Sequence, residues 1–184
     1  SINWVPVDEN KSYDLDEIEK RISTKTKLVF LCNPNNPTGT IVPAKKLVDF
    51  CDVASKKAIV FSDEAYYDYI ETPNYPSMID AVRGGDNVIV SKTFSKVYGM
   101  AGLRVGYAIG EEDLILNFEK IRNHFGMSRI SQVGALAALE DYDFISDVIN
   151  KVKLARNRIA DIANNNNCKF IPSFTNFVTI DCLK

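Results

Sequence analysis

Short apolar runs alternate along this chain with stretches in which apolar residues recur three or four positions apart, the mark of strands interleaved with helices. Residues 27–32 are continuously apolar after Lys27, as expected of a parallel strand covered on both faces, and they lead into the turn cluster Asn33-Pro-Asn-Asn-Pro-Thr-Gly39. Pro43 suits the opening of a helix, and Leu47, Val48, Phe50, Cys51 and Ala54 carry helical spacing behind it. Two further buried strands are predicted at 58–62 and 87–91, separated by a connection rich in Pro and Tyr, and 103–109 reads as another strand of the same sheet. The opening, 2–7, also has the look of a strand.

Beyond Gly110 the period changes. Helices are expected at 111–124, 132–141 and 143–165, the last ended by the asparagine run at 164–167, because Asn side chains compete for backbone hydrogen bonds. Short strands at 169–171 and 176–181 follow. The whole predicts an α/β domain over 1–142, with a mostly parallel sheet and flanking helices. Residues 143–184 then supply a connecting helix and the start of a small α+β domain. Ligands of such sheets bind outside the carboxyl ends of the strands, and Asn36, Asp63 and Lys96 each follow a predicted strand closely.

Composition narrows the partners. The chain has 184 residues, 46% hydrophobic and 25% charged, enough for a sizeable core. Its 22 basic and 24 acidic residues are mixed, giving a net charge of -2 and no basic stripe, so nucleic acid is not an expected partner. No apolar run approaches the roughly 20 residues of a membrane helix. Cys32, Cys51, Cys168 and Cys182 are far apart in sequence and form no CxxC pair. That spacing fits a reducing cytoplasm, with each cysteine read as a small buried apolar residue. With His124 as the only histidine, no metal site is expected. The chain opens at Ser1 and is expected to be an internal segment of a longer protein.

Three residue types needed to move an amine sit at the strand ends. Lys96 offers an amine able to form an imine with an aldehyde cofactor, and Asp63 offers a carboxylate that keeps a pyridine nitrogen protonated. Arg104 offers a planar fork for a phosphate, with the hydroxyls of Thr93 and Ser95 beside it in sequence. Asn36 and Tyr66 can donate to a phenolate oxygen, and Ala65 is small enough to lie against a ring. Taken singly each has a plainer explanation: a strand-end aspartate caps helices, a turn asparagine serves its own backbone, and a Lys or Arg is a solvated charge.

Taken together, Asn33-Pro-Asn-Asn-Pro-Thr-Gly39, Asp63-Glu-Ala-Tyr66, Ser91-Lys-Thr-Phe-Ser-Lys96 and Gly102-Leu-Arg-Val-Gly106 resemble, in order, the signature series of fold-type I aminotransferases dependent on pyridoxal 5'-phosphate (PLP). The resemblance implies Lys96 as Schiff-base lysine and proton shuttle, with Asp63 at the pyridine nitrogen. It further implies Asn36 and Tyr66 at the ring hydroxyl, Ala65 under the ring, and Thr93, Ser95 and Arg104 at the phosphate. Within the family the wording is most similar to the histidinol-phosphate branch, as is Pro172-Ser-Phe-Thr-Asn-Phe177. That branch exchanges an amino group between L-histidinol phosphate and 2-oxoglutarate in histidine biosynthesis, and the family works as cytoplasmic homodimers. Aromatic aminotransferases and threonine-phosphate decarboxylases share much of the wording.

The family pattern also places a glycine-containing helix start and a ring-stacking aromatic upstream of Ser1, and a substrate-gripping arginine downstream of Lys184. The segment alone is therefore expected to transfer amines poorly. Two rival readings are weaker. The Asp63-Glu64 pair also resembles a magnesium-holding strand end of P-loop ATPases, but none of the nine glycines is followed by lysine, and no GxGxxG occurs. A PLP-fold binding or regulatory domain without activity has no need of Lys96.

Overall fold

A computed structural model describes residues 1–123 and 125–182, so the reading of His124 lies outside the described residues. Four strands form one sheet: β1 (Leu28–Cys32), β2 (Ile59–Asp63), β3 (Val88–Thr93) and β4 (Gly106–Ile109), in that spatial order. The first three are parallel, with Leu28 opposite Ile59 and Val60 opposite Val88, while β4 runs antiparallel to β3. Helices α1 (Leu15–Arg21), α2 (Ala44–Ser55) and α3 (Ile79–Arg83) lie along the first half. The second half carries α4 (Glu112–Glu119), α5 (Arg129–Glu140) and α6 (Tyr142–Asn165), then an antiparallel hairpin of β5 (Lys169–Ile171) and β6 (Thr179–Asp181).

One face of the sheet is packed by α2, whose Leu47, Phe50, Cys51 and Ala54 repeat at helical spacing and meet Val29, Leu31 and Val60. Burial on both faces holds at β3, where Val88, Ile89 and Val90 are consecutively buried. It fails at β1. There Val29 and Leu31 point inward, whereas Leu28 and Phe30 are 51% and 54% exposed, because alternate side chains point to the face opposite the core. Phe30 stacks on Phe61 of β2 at 5.3 Å, so the two rings shield each other.

Several expected elements differ. Residues 2–7 form no strand; only an isolated bridge pairs Val7 with Tyr13, since a single extended segment gains ladder bonds only where a partner lies alongside. The strand expected at 103–109 begins at Gly106, because 101–103 wind into a 3₁₀ turn and Arg104 takes the left-handed conformation (φ 49°). Helix α4 stops at Glu119, α5 starts earlier, at Arg129, where Ser128 caps it by accepting from the Ser131 N–H at 3.1 Å, and β6 starts at Thr179. Helix α1 was not anticipated; Asp14 caps it through the Glu17 N–H at 2.9 Å, and acidic and basic residues fill its first and last turns respectively.

The asparagine run ends α6 as expected. The Asn166 N–H reaches back to carbonyls of the last turn, and Asn167 adopts φ 55° to reverse the chain. Three cysteine readings are corrected: Cys51 is buried, but Cys32 is half-buried because it faces an open cavity, Cys168 is half-buried and Cys182 is exposed, because the last two flank a hairpin at the surface. Among the described residues no helix is long and apolar enough to cross a membrane, and no three metal-ligating side chains gather.

Candidate active site

The carboxyl ends of β1, β2 and β3 point the same way because the three strands are parallel, so the loops that follow them share one rim. That rim encloses an open cavity of about 480 Å³. All eight residues singled out from sequence line it: Asn36 after β1, Asp63, Ala65 and Tyr66 at the end of β2, Thr93, Ser95 and Lys96 at the end of β3, and Arg104 before β4.

Each loop has a reason for its shape. In the first, Asn33 is buried and serves the backbone, its side chain accepting from the Val42 N–H at 3.1 Å and donating to the Tyr75 hydroxyl at 2.8 Å. Asn35 and Gly39 close the turn, with the Gly39 N–H donating to the Asn35 carbonyl at 2.8 Å. A side chain at residue 39 would collide with Ser173, and the positive φ of 77° favours glycine as well. Asn36 is the asparagine left facing the cavity, where its amide donates to the Tyr66 hydroxyl at 3.2 Å.

Asp63 is half-buried because it faces the open cavity. One carboxylate oxygen accepts from the Ala65 N–H at 3.1 Å, which fixes the turn that carries Tyr66. Tyr66 is buried beneath its own hydroxyl, its ring meeting Phe177 edge-on at 5.2 Å and lying 5.1 Å from the Lys96 amine. Among the described residues no ion pair or hydrogen bond holds that amine.

Buried Phe94 and Val97 pin the Lys96 loop on either side. The Phe94 N–H donates to Val105 at 3.2 Å, and the Gly99 N–H donates to the Lys96 carbonyl at 2.9 Å. The Thr93 hydroxyl accepts from the Ser95 N–H at 3.1 Å, and the Arg104 guanidinium donates to the Ala101 carbonyl at 2.8 Å and to the Ser95 hydroxyl at 3.5 Å. Arg104 is exposed and holds a left-handed backbone that costs a non-glycine residue about 1–2 kcal/mol.

Sequence reasoning missed a buried ion pair at the cavity wall. Glu64 is 2% exposed, its carboxylate 3.1 Å from the Lys92 amine, and it also accepts from the Ser77 hydroxyl and the Met78 N–H, each at 2.7 Å. Lys92 lies 3.9 Å over the Tyr67 ring. The pair joins the residue after Asp63 to the strand that leads to Lys96. Cys32 lines the cavity too, with its thiol pushed up to about 11 by burial and then by the Asp63 charge, so it stays protonated at neutral pH.

Residues 1–182 match the model of the family described as aminotransferase class I and II. The histidinol-phosphate aminotransferase of Bacillus velezensis is 42% identical over 180 residues, which cover 98% of this chain and 50% of that protein. The enzyme of the same name from Bacillus subtilis is 39% identical, covering 92% of this chain and 47% of its own length. Among solved structures, histidinol-phosphate aminotransferase from Sinorhizobium meliloti in complex with pyridoxal-5'-phosphate superposes with a TM-score of 0.88 at 38% identity, over 98% of this chain and 49% of that one. Aspartate aminotransferase from Thermotoga maritima follows the same fold, with a TM-score of 0.82 at 30% identity, over 91% of this chain and 45% of that one. The chain thus spans about half the length of the curated relatives it matches.

Proposed function

Because the chain belongs to the class I and II aminotransferase family, we propose that its cavity holds pyridoxal 5'-phosphate and that the full-length protein passes an amino group between an amino donor and a 2-oxo acid. The observation that carries this reading is the convergence of Lys96, Asp63 and Arg104 on one cavity that also presents the linked side chains of Asn36 and Tyr66. The donor set fits the group: an amine, a carboxylate, a pair of hydrogen-bonding side chains and a guanidinium with two hydroxyls answer its carbonyl, ring nitrogen, ring oxygen and phosphate. When bound, the cofactor supplies a reactive carbonyl and an electron-withdrawing ring.

The chain's own residues then divide the work. The Lys96 amine holds the carbonyl carbon and moves the proton of the reacting carbon, while the Asp63 carboxylate keeps a proton on the ring nitrogen. Asn36 and Tyr66 donate to the ring oxygen, Ala65 leaves room for the ring face, and Thr93, Ser95 and Arg104 hold the phosphate.

Asp63→Asn keeps the size of the side chain and loses its charge, so the ring nitrogen no longer holds its proton. Turnover is expected to fall on the order of 10²- to 10³-fold with most cofactor retained, as read from kcat beside the bound-cofactor absorbance. Near-normal turnover would remove Asp63 from this role. Arg104→Lys keeps the charge but loses the fork, and cofactor affinity measured by equilibrium dialysis is expected to drop by about tenfold or more. An unchanged affinity puts the phosphate anchor elsewhere.

For the donor, the names of the relatives support L-histidinol phosphate with 2-oxoglutarate as acceptor, in histidine biosynthesis. The test is glutamate formation by the full-length protein with histidinol phosphate, phenylalanine or aspartate as donor. Histidinol phosphate is expected to give the highest kcat/KM, and a preference for either other donor overturns the assignment. We further propose a cytoplasmic homodimer, supported by the exposed apolar residues Ile130, Val133 and Leu136 on α5. The division into a cofactor-holding domain over 1–142 and a connecting helix with the start of a small domain over 143–184 is supported by the separate β5–β6 sheet.

A further inference from the structure

The β5–β6 hairpin carries two thiols that the site does not use. In its register Lys169 faces Asp181, Phe170 faces Ile180 and Ile171 faces Thr179, and one more step at the open end sets Cys168 opposite Cys182. Residues facing each other across an antiparallel pair have Cα atoms about 4.5–5.5 Å apart, inside the roughly 4.4–6.8 Å that a disulfide spans. Cys182 is the neighbour that, after desolvation, pushes the Cys168 thiol upward, and that thiol donates to the Asn166 carbonyl at 3.7 Å. Cys168 is also fixed from behind by its N–H, which donates to the Ala163 carbonyl of α6 at 2.9 Å, and by the left-handed turn at Asn167. Closure therefore needs little backbone movement. In this segment Cys182 is exposed and Cys168 half-buried; Cys51 is buried, and Cys32, half-buried at the cavity, has no second thiol opposite it.

We propose that Cys168 and Cys182 form a redox-active dithiol, which a low-molecular-weight disulfide such as oxidised glutathione closes into an intramolecular cross-strand disulfide. The exposed Cys182, as thiolate, attacks one sulfur of the oxidant, and that S–S bond breaks to release one small thiol. The Cys168 thiolate then attacks the Cys182 sulfur, and the second small thiol leaves. The two protein thiols are oxidised by two electrons, the oxidant is reduced to two thiols, and the two protons pass to the leaving groups. The thiol of Cys168 is pushed upward by desolvation and by its neighbour Cys182, so the second step quickens as pH rises.

The hairpin abuts the cavity loop. The Thr179 hydroxyl donates to the Pro37 carbonyl, the Phe174 N–H donates to the Gly39 carbonyl at 2.7 Å, and Phe177 packs on Tyr66. Closing the open end therefore braces the loop that carries Asn36. This inference stands apart from the transaminase reading and survives its failure.

The test is to expose the reduced full-length protein to excess oxidised glutathione at pH 8, alkylate under denaturing conditions, and map peptides by mass spectrometry. The expected product is a single link between the Cys168 and Cys182 peptides, two hydrogens lighter than the reduced pair, with Cys32 and Cys51 recovered alkylated. Cys168→Ser should leave a glutathione adduct stalled on Cys182, and hydrogen exchange at Gly39 should slow several-fold in the oxidised parent. A parent that keeps both thiols, retains the unresolved adduct, or links Cys182 between two chains overturns the proposal. Unchanged exchange at Gly39 overturns the bracing of the loop.

Discussion

Lys96→Ala is expected to cut amino transfer by the full-length protein on the order of 10⁴-fold or more while the fold stays intact. The size follows from two roles lost at once, a covalent partner and a proton carrier, each of which alone contributes several orders of magnitude in enzymes that use such a group. The tolerance of the fold follows from what holds the loop. Phe94 and Val97 bury the chain on either side, and the loop bonds run through the backbone of Phe94, Lys96 and Gly99. The Lys96 side chain contributes only a distant contact with the Tyr66 ring, at 5.1 Å. Thermal unfolding should therefore shift by no more than a degree or two, as is usual for a surface change. Borohydride reduction in the presence of PLP should trap an adduct at Lys96 in the parent and none at that position in the variant. An adduct at unchanged stoichiometry in Lys96→Ala would mean that another amine carries the chemistry.

Much of this site was legible because parallel strands announce themselves as short apolar runs, and the residue after each run is placed at the rim by topology alone. Val88-Ile-Val90 and its neighbours needed no tertiary knowledge to be read as strands. The conformation of Arg104 was less accessible: its left-handed backbone ends the 3₁₀ turn and shortens β4, and nothing in Leu-Arg-Val-Gly distinguishes that from a continuous strand. Helices α1 and α3 are seven and five residues long, too short to show a period, and only the caps at Asp14 or the turn at Gly84-Gly85 could have betrayed them. Exposure of Phe30 is likewise invisible locally, because a strand covered on one face and a strand covered on both can carry the same run. Glu64 and Lys92 were passed over for a related reason. Each looks like a solvated charge until the β2–β3 register brings them within 3.1 Å.

That pair carries the other large expected effect. With side chains only 10% and 3% exposed, Lys92 and Glu64 are charges held mainly by each other. Removing one member of such a pair costs about 3–5 kcal/mol, because the survivor is left buried and uncompensated. Glu64→Gln isolates the charge, since its amide can still accept from the Met78 N–H, a bond that otherwise contributes its own about 1–3 kcal/mol when broken. Two groups soften the loss: the Tyr67 ring beneath Lys92, and Asp68, whose carboxyl is pushed up by desolvation and drawn down by Lys92. Glu64→Gln is therefore expected to lose about 3 kcal/mol, the lower end for a broken buried pair. Adding Lys92→Met removes the stranded charge while keeping the stem, and should restore at least about 1 kcal/mol of that loss. Urea unfolding of the parent, both single variants and the double variant closes the cycle. A Glu64→Gln midpoint indistinguishable from the parent would show that water reaches Lys92 and that the ion pair does not tie the Asp63 turn to the Lys96 strand.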